Sequence, residues 1–75
     1  MTKLELMHFL AEAEEASMTD IAEQFDVTLA TAGMALLRLN RQALATRFLD
    51  ADEGGYVYEL TPRGLARLRY LRSHY

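Results

Sequence analysis

The sequence predicts an α+β fold, mainly α: one domain over residues 1–75 with a three-helix core, a two-stranded hairpin and a C-terminal helix. Three observations carry this expectation. Apolar residues recur at helical spacing over about 3–15, 28–41 and 62–74. A short helix over about 20–25 is separated from the third by two turn residues, Asp26 and Val27. Residues 44–50 (LATRFLD) and about 56–61 (YVYELT) read as strands, and Asp52-Glu53-Gly54-Gly55 between them has the composition of a hairpin turn.

Each element has a local reason. In the first helix Leu6, Phe9, Leu10 and Ala13 form the stripe expected to face the core. Leu4, Met7 and Ala11 fall on a neighbouring sector that would serve a second contact, such as a dimer mate. Ser17 and Met18 read as a link and Thr19 as the N-cap of the second helix, with Asp20 in the first turn where the helix dipole favours negative charge. Ile21, Ala22 and Phe25 point inward. Asp26 tolerates the left-handed backbone of a tight turn, Val27 plugs the corner, and Thr28 caps the third helix. On that helix Ala32, Ala35, Leu36 and Leu39 share one side; Ala30, Thr31, Gly33, Met34, Leu37, Arg38 and Arg41 share the other. In the first strand Leu44, Thr46 and Phe48 alternate with Ala45, Arg47 and Leu49. Thr61 caps the last helix and Pro62 suits its first position. There Leu65, Leu68, Leu71 and Tyr75 share a core or dimer face, opposite Arg63, Arg67, Tyr70 and His74.

Composition narrows the function. At 51% apolar and 25% charged the chain is globular in type, and its 75 residues lie near the lower limit for a self-sufficient core, so dimerisation would be a natural supplement. There is no cysteine, hence no disulfide and no thiolate metal site. No apolar run approaches the ~20 residues of a membrane span, and the N-terminus has no signal-peptide apolar core, so a cytoplasmic location without membrane contact is expected. The net charge of −3 is unevenly spread: residues 1–37 hold Lys3 against seven carboxylates, whereas residues 38–75 hold seven arginines against four. Such asymmetry suggests a nucleic-acid face on the basic half.

The order of elements is that of a helix-turn-helix with a wing, a winged helix-turn-helix that presents its third helix outward. Three segments, MTDIAEQFDVTLATAGMALLRL, RFLDADEGGYVYEL and LTPRGLARL, resemble the winged helix-turn-helix of small bacterial and archaeal transcriptional regulators of the MarR and PadR kind, over nearly the whole chain. The resemblance implies a DNA-binding transcriptional regulator acting as a homodimer. Such regulators are mostly longer, with extra helices for dimerisation or ligand binding, so this chain would be the bare domain.

On that reading Thr28 and Thr31 touch bases or phosphate, Leu29, Ala30 or Met34 meet thymine methyls, and Arg38, Arg41 and Arg47 grip the backbone, with Arg63 and Arg67 as helpers. Two departures stand out. Only the two threonines near the start of the third helix can hydrogen-bond through their side chains, although base edges are read by donors and acceptors. The wing tip carries Asp50, Asp52 and Glu53, and a like charge at ~4 Å costs about 1 kcal/mol even in bulk water, which keeps the tip away from phosphate. The alternative function is therefore a winged-helix protein–protein interaction module without sequence-specific DNA binding, its partner met through Met34 and Leu37. The small accessory proteins of bacterial ferrous-iron transport resemble this chain in length and in the helix-turn-helix half, but they commonly carry wing cysteines that it lacks.

No enzyme is expected. Ser17 and Ser73 lie near element ends with neither His8 nor His74 placed beside them, Glu12, Glu14 and Glu15 cannot face one cavity, and Gly54-Gly55 adjoins a strand rather than opening a helix. Two distant histidines make no metal site, and no cofactor is implied. A homodimer would pack the terminal helices of two copies through Leu65, Leu68 and Leu71.

Overall fold

In a computed structural model, described over residues 1–52 and 54–74, the chain runs α1 (Lys3–Ala13), β1 (Ala16–Ser17), α2 (Met18–Phe25), α3 (Leu29–Arg41), β2 (Ala45–Asp50), β3 (Gly55–Leu60) and α4 (Pro62–Ser73). Glu53 and Tyr75, expected in the hairpin turn and on the inner face of the last helix, lie outside the described residues.

Helix α1 opens on a capping box. The Glu5 N–H donates to the Thr2 hydroxyl at 3.1 Å and the Thr2 N–H donates to the Glu5 carboxylate at 2.8 Å. The Thr2 backbone N–H foremost, and the Thr2 side chain after it, hold the Glu5 carboxyl below its ordinary range, so the carboxylate half of the box is present at neutral pH and is lost as pH falls through the lowered value. The helix ends at Ala13, two residues earlier than expected, because Glu14 takes a positive φ of 71°. Leu6 and Leu10 are buried and Phe9 half-buried, but Ala13 is exposed. Met7, at 0% exposure, is a core residue and not part of a spare apolar sector, whereas Leu4 and Ala11 are half-buried; α1 packs against both β3 and α4.

The start of α2 is also corrected. Ser17, not Thr19, is the N-cap: the Asp20 N–H donates to the Ser17 hydroxyl at 3.1 Å and the Ser17 N–H to the Asp20 carboxylate at 2.9 Å. Thr19 would have had Ala22 three residues on and could offer one such bond, where Ser17 with Asp20 makes two. The link before it pairs as a short strand, Ala16 with Tyr58 and Ser17 with Val57, so the wing hairpin gains a third strand in the order β1-β3-β2. Flanked on both edges, β3 buries the consecutive residues Val57 and Tyr58, one on each face.

The turn into α3 closes on one acceptor. Asp26, left-handed at φ 52°, donates its N–H to the Ala22 carbonyl, as does Val27 at 3.1 Å. Thr28 then caps α3, accepting from the Thr31 N–H at 3.1 Å, and Ala32, Leu36 and Leu39 enter the core with Ala35 half-buried. The far end of α3 is a Schellman turn: the Leu44 N–H donates to the Leu39 carbonyl and the Ala43 N–H to the Asn40 carbonyl, both at 3.0 Å, with Ala43 left-handed at φ 59° where glycine is usual.

Helix α4 docks on that corner. The Thr61 N–H donates to the Leu44 carbonyl at 3.0 Å, the Thr61 hydroxyl donates to the Ala43 carbonyl at 2.7 Å, and the same hydroxyl caps α4 by accepting from the Gly64 N–H at 3.0 Å. The approach is so close that a Cβ on Gly64 would stand 2.0 Å from the Leu44 carbonyl oxygen. Of the three leucines expected as one core or dimer face, Leu68 is buried within the single chain, Leu71 is half-buried and Leu65 is exposed. Among the described residues no helix is long and apolar enough to cross a membrane.

Two substitution pairs test these contacts. Gly64→Ala forces backbone apart and should cost about 3 kcal/mol, the upper part of the range for overpacking. For a domain this size that lowers the melting temperature by roughly 10–20 °C in a thermal scan. In Gly33→Ala the new Cβ meets only the flexible end of Met18, 2.8 Å away, and the gain in helix propensity of about 1 kcal/mol should leave stability equal or higher. Ser17→Ala should cost about 1 kcal/mol in urea unfolding as a lost N-cap, whereas Thr19→Ala should stay within about 0.5 kcal/mol.

Candidate nucleic-acid interface

Burial of Ala32, Leu36 and Leu39 fixes the rotation of α3 about its axis and decides what the helix shows to solvent. Thr28, Leu29, Ala30, Thr31, Met34, Arg38 and Arg41 are all exposed. Leu29 at 51% and Met34 at 49% stand well clear of the core. Gly33 and Leu37 differ from the expected outward placement. Gly33 is half-buried under the Met18 thioether, which the first turn of α2 lays across it, and Leu37 is half-buried as well. The exposed row therefore runs as a narrow strip from Thr28 to Arg41.

The two threonines on this strip have different capacities. The Thr28 oxygen accepts from the Thr31 N–H, and its own proton is donated to the Thr31 hydroxyl oxygen at 3.0 Å. The Thr31 hydroxyl thus keeps its proton for an outside acceptor, while Thr28 is engaged in capping. At the other end Arg38 and Arg41 occupy the last turn, where the helix dipole favours cations.

The hairpin stands off the body. Beyond Ala45 the residues Thr46 to Leu49 are exposed on both faces of β2, so the expected alternation of inner and outer positions has nothing to act against. Leu49, at 70%, is among the most exposed apolar side chains. Register explains where Arg47 goes. Arg47 pairs with Tyr58 and Leu49 with Tyr56, which places Tyr56 diagonal to Arg47 on the same face, and the guanidinium lies 4.5 Å from the Tyr56 ring centroid. The sequence does not single out Tyr56: a turn at residues 52–55 would set Arg47 opposite Leu60, whereas the observed pairing of Asp50 with Gly55 sets Arg47 opposite Tyr58 and diagonal to Tyr56. At the tip Gly54 turns at φ 73°, its N–H donating to the Asp50 carbonyl at 3.0 Å, and the Asp52 N–H donates to the Asp50 carboxylate at 2.9 Å. On α4 the expected stripe is present, with Arg67 5.3 Å from the Tyr70 ring centroid and Tyr70 stacked on His74 at 4.0 Å.

Charge pairing is sparse. Among the described residues the one approach of a basic side chain to a carboxylate within 4 Å is that of His8 to Glu12 at 3.8 Å, and no arginine reaches a carboxylate. Arg72 bonds instead to the His8 ring. Nor does any group of three or more histidine, aspartate or glutamate side chains, among the described residues, stand where it could hold a metal ion. Arg38, Arg41, Arg47, Arg63 and Arg67 are thus exposed cations that meet no carboxylate among the described residues.

No protein-family model matches the chain, and no curated protein matches it in sequence. Solved structures do. The transcriptional regulator homologue protein from Pyrococcus horikoshii superposes with a TM-score of 0.84 at 25% identity, covering 95% of this chain and 72% of that one. The transcriptional regulator BldR from Sulfolobus solfataricus gives 0.82 at 25% identity over 91% of this chain and 49% of its own. Staphylococcus aureus MepR, crystallised in complex with DNA, gives 0.76 at 24% identity over 95% of this chain and 50% of its own. This chain spans about half the length of BldR and MepR. A MarR family transcriptional regulator from Silicibacter pomeroyi, at a TM-score of 0.85 and 22% identity, completes the picture over 95% of this chain and 48% of that one. The chain has the winged helix-turn-helix fold that these regulators share.

Proposed function

We propose that this chain is a DNA-binding winged-helix unit of a transcriptional regulator, acting as a homodimer in the cytoplasm and without enzymatic activity of its own. The observation that carries the reading is the exposed strip of α3 from Thr28 to Arg41, locked in rotation by Ala32, Leu36 and Leu39 and ending in cations that meet no carboxylate among the described residues. The fold it shares with MepR, a protein crystallised on DNA, supports the same conclusion.

In this mechanism α3 lies in the major groove. Thr31 donates its free hydroxyl proton to a base acceptor, and Leu29 and Met34 cover thymine methyls. Arg38 and Arg41 contact one strand's phosphates, and Arg47, steadied by Tyr56, contacts phosphate from the wing. With so few donors on the strip, part of the sequence preference falls to groove shape and deformability. Because Leu68 belongs to the core of the single chain, a dimer contact from α4 would use exposed Leu65 and not the whole leucine face. A second reading, docking of a partner protein on the strip, draws on the exposure of Leu29 and Met34.

Duplex binding read by fluorescence anisotropy across a salt series tests the proposal. Each phosphate contact contributes about 0.9 to the slope of log affinity against log salt, so the Arg38→Gln, Arg41→Gln, Arg47→Gln triple variant should lose affinity and shallow the slope by about 2.7. A slope unchanged in that variant, or no duplex binding by the parent chain at low salt, would contradict it. In the latter case, loss of a protein complex on Met34→Glu would favour the second reading.

A further inference from the structure

A separate cationic cleft lies where the start of α1, the α3–β2 corner and the first turns of α4 meet. It encloses about 550 Å³ and is lined by Lys3, Gln42, Leu44, Arg63 and Arg67. Three of its five lining residues are cations and none is a carboxylate, in a chain whose net charge is −3. A second hollow of about 460 Å³ is also lined by Lys3 and Arg67.

The cations are held by groups that leave their charge intact. The Lys3 ammonium donates to the Gln42 side-chain oxygen at 2.7 Å, a neutral acceptor on a different element that holds it at the cleft while leaving two of its three protons for a ligand. Arg67 rests beside the Tyr70 ring, and among the described residues neither Arg63 nor Arg67 reaches a carboxylate. The cleft also adjoins the N-terminal end of the twelve-residue α4, the positive end of its dipole. Two guanidinium forks and an ammonium around one hollow match the oxygens of a phosphate group better than a monovalent halide, because each fork can hold two oxygens at once.

We propose that this cleft is a phosphate-binding seat distinct from the α3 strip, with Lys3, Arg63 and Arg67 as its ligating residues. Its phosphate comes either from the backbone of a bound duplex, which rests on the DNA-binding reading above, or from a free phosphorylated small molecule, which does not.

The test has two arms on the full chain. In the first, sodium tripolyphosphate is titrated at constant ionic strength and amide shifts are followed by NMR. Saturable shifts are expected at Lys3, Gln42, Leu44, Gly64 and Arg67, and the Arg63→Gln, Arg67→Gln variant, both positions being exposed, should bind about tenfold or more weakly with its other amide signals in place. In the second arm the same variant is compared with the parent in duplex binding across salt. A slope shallower by about 1.8 assigns the seat to backbone phosphates; an unchanged slope with tripolyphosphate binding lost assigns it to a free phosphate ligand. Absence of saturable shifts around the cleft in the parent chain, or tripolyphosphate affinity unaltered in the variant, would overturn the proposal whatever the duplex does.

Discussion

One carbonyl oxygen organises the half of the molecule that carries its cations. The Leu44 oxygen accepts the Thr61 N–H at 3.0 Å and occupies the space where any side chain on Gly64 would have to go. Around it three elements meet: the Schellman turn that ends α3, the first residue pair of the wing (Ala45 with Leu60), and the capped first turn of α4. The same corner is also part of the core, with Leu39, Leu44 and Ala45 buried, so backbone bonding and burial act together at the root of the wing. Hydrogen bonds from Asn40 to the Ala45 carbonyl and from Thr61 to the Ala43 carbonyl add to the same junction. The relative positions of Arg38, Arg47 and Arg63 all follow from it.

Electrostatics then separates the molecule into working and idle surfaces. The carboxylates of α1 and α2 that have identified roles serve local structure: Glu5 and Asp20 cap helices, and Glu12 pairs with His8. Among the described residues Arg72 bonds to the His8 ring and Arg47 and Arg67 rest on tyrosine rings, but no arginine meets a carboxylate. A protein that leaves its arginines unpaired on the surface keeps their full charge for a partner, and phosphate is the partner that planar forks suit best. The acidic wing tip marks the limit of the basic surface, because phosphate is repelled where Asp50 and Asp52 cluster.

Much of this was legible from residue types because it rests on local chemistry. Thr28 and Thr61 sit where a cap was needed, Asp26 where a left-handed turn was needed, and Ala32, Leu36 and Leu39 at the spacing of a buried stripe. What escaped the sequence depends on neighbours distant along the chain. Ala16 and Ser17 become a strand only because Val57 and Tyr58 offer an open edge. Met7 is buried on a helix, α1, that packs against both α4 and β3, elements from the far end of the chain. Gly33 reads as outward-facing until Met18 is seen lying over it, and Ala43 carries a left-handed turn with no glycine to announce it. The outward strip was largely readable, whereas the Lys3, Gln42, Arg63 and Arg67 cleft was not, since it joins residues from opposite ends of the sequence.

The most direct test of the central claim, that α3 is the surface that meets DNA, uses the absence of cysteine in the chain. A single cysteine placed by Ala30→Cys on the exposed strip, or by Glu12→Cys on α1, can carry a photocrosslinker without competing thiols. On irradiation with bound duplex, the account predicts crosslinks from position 30 and none from position 12. Crosslinks from position 12 with position 30 silent would contradict it.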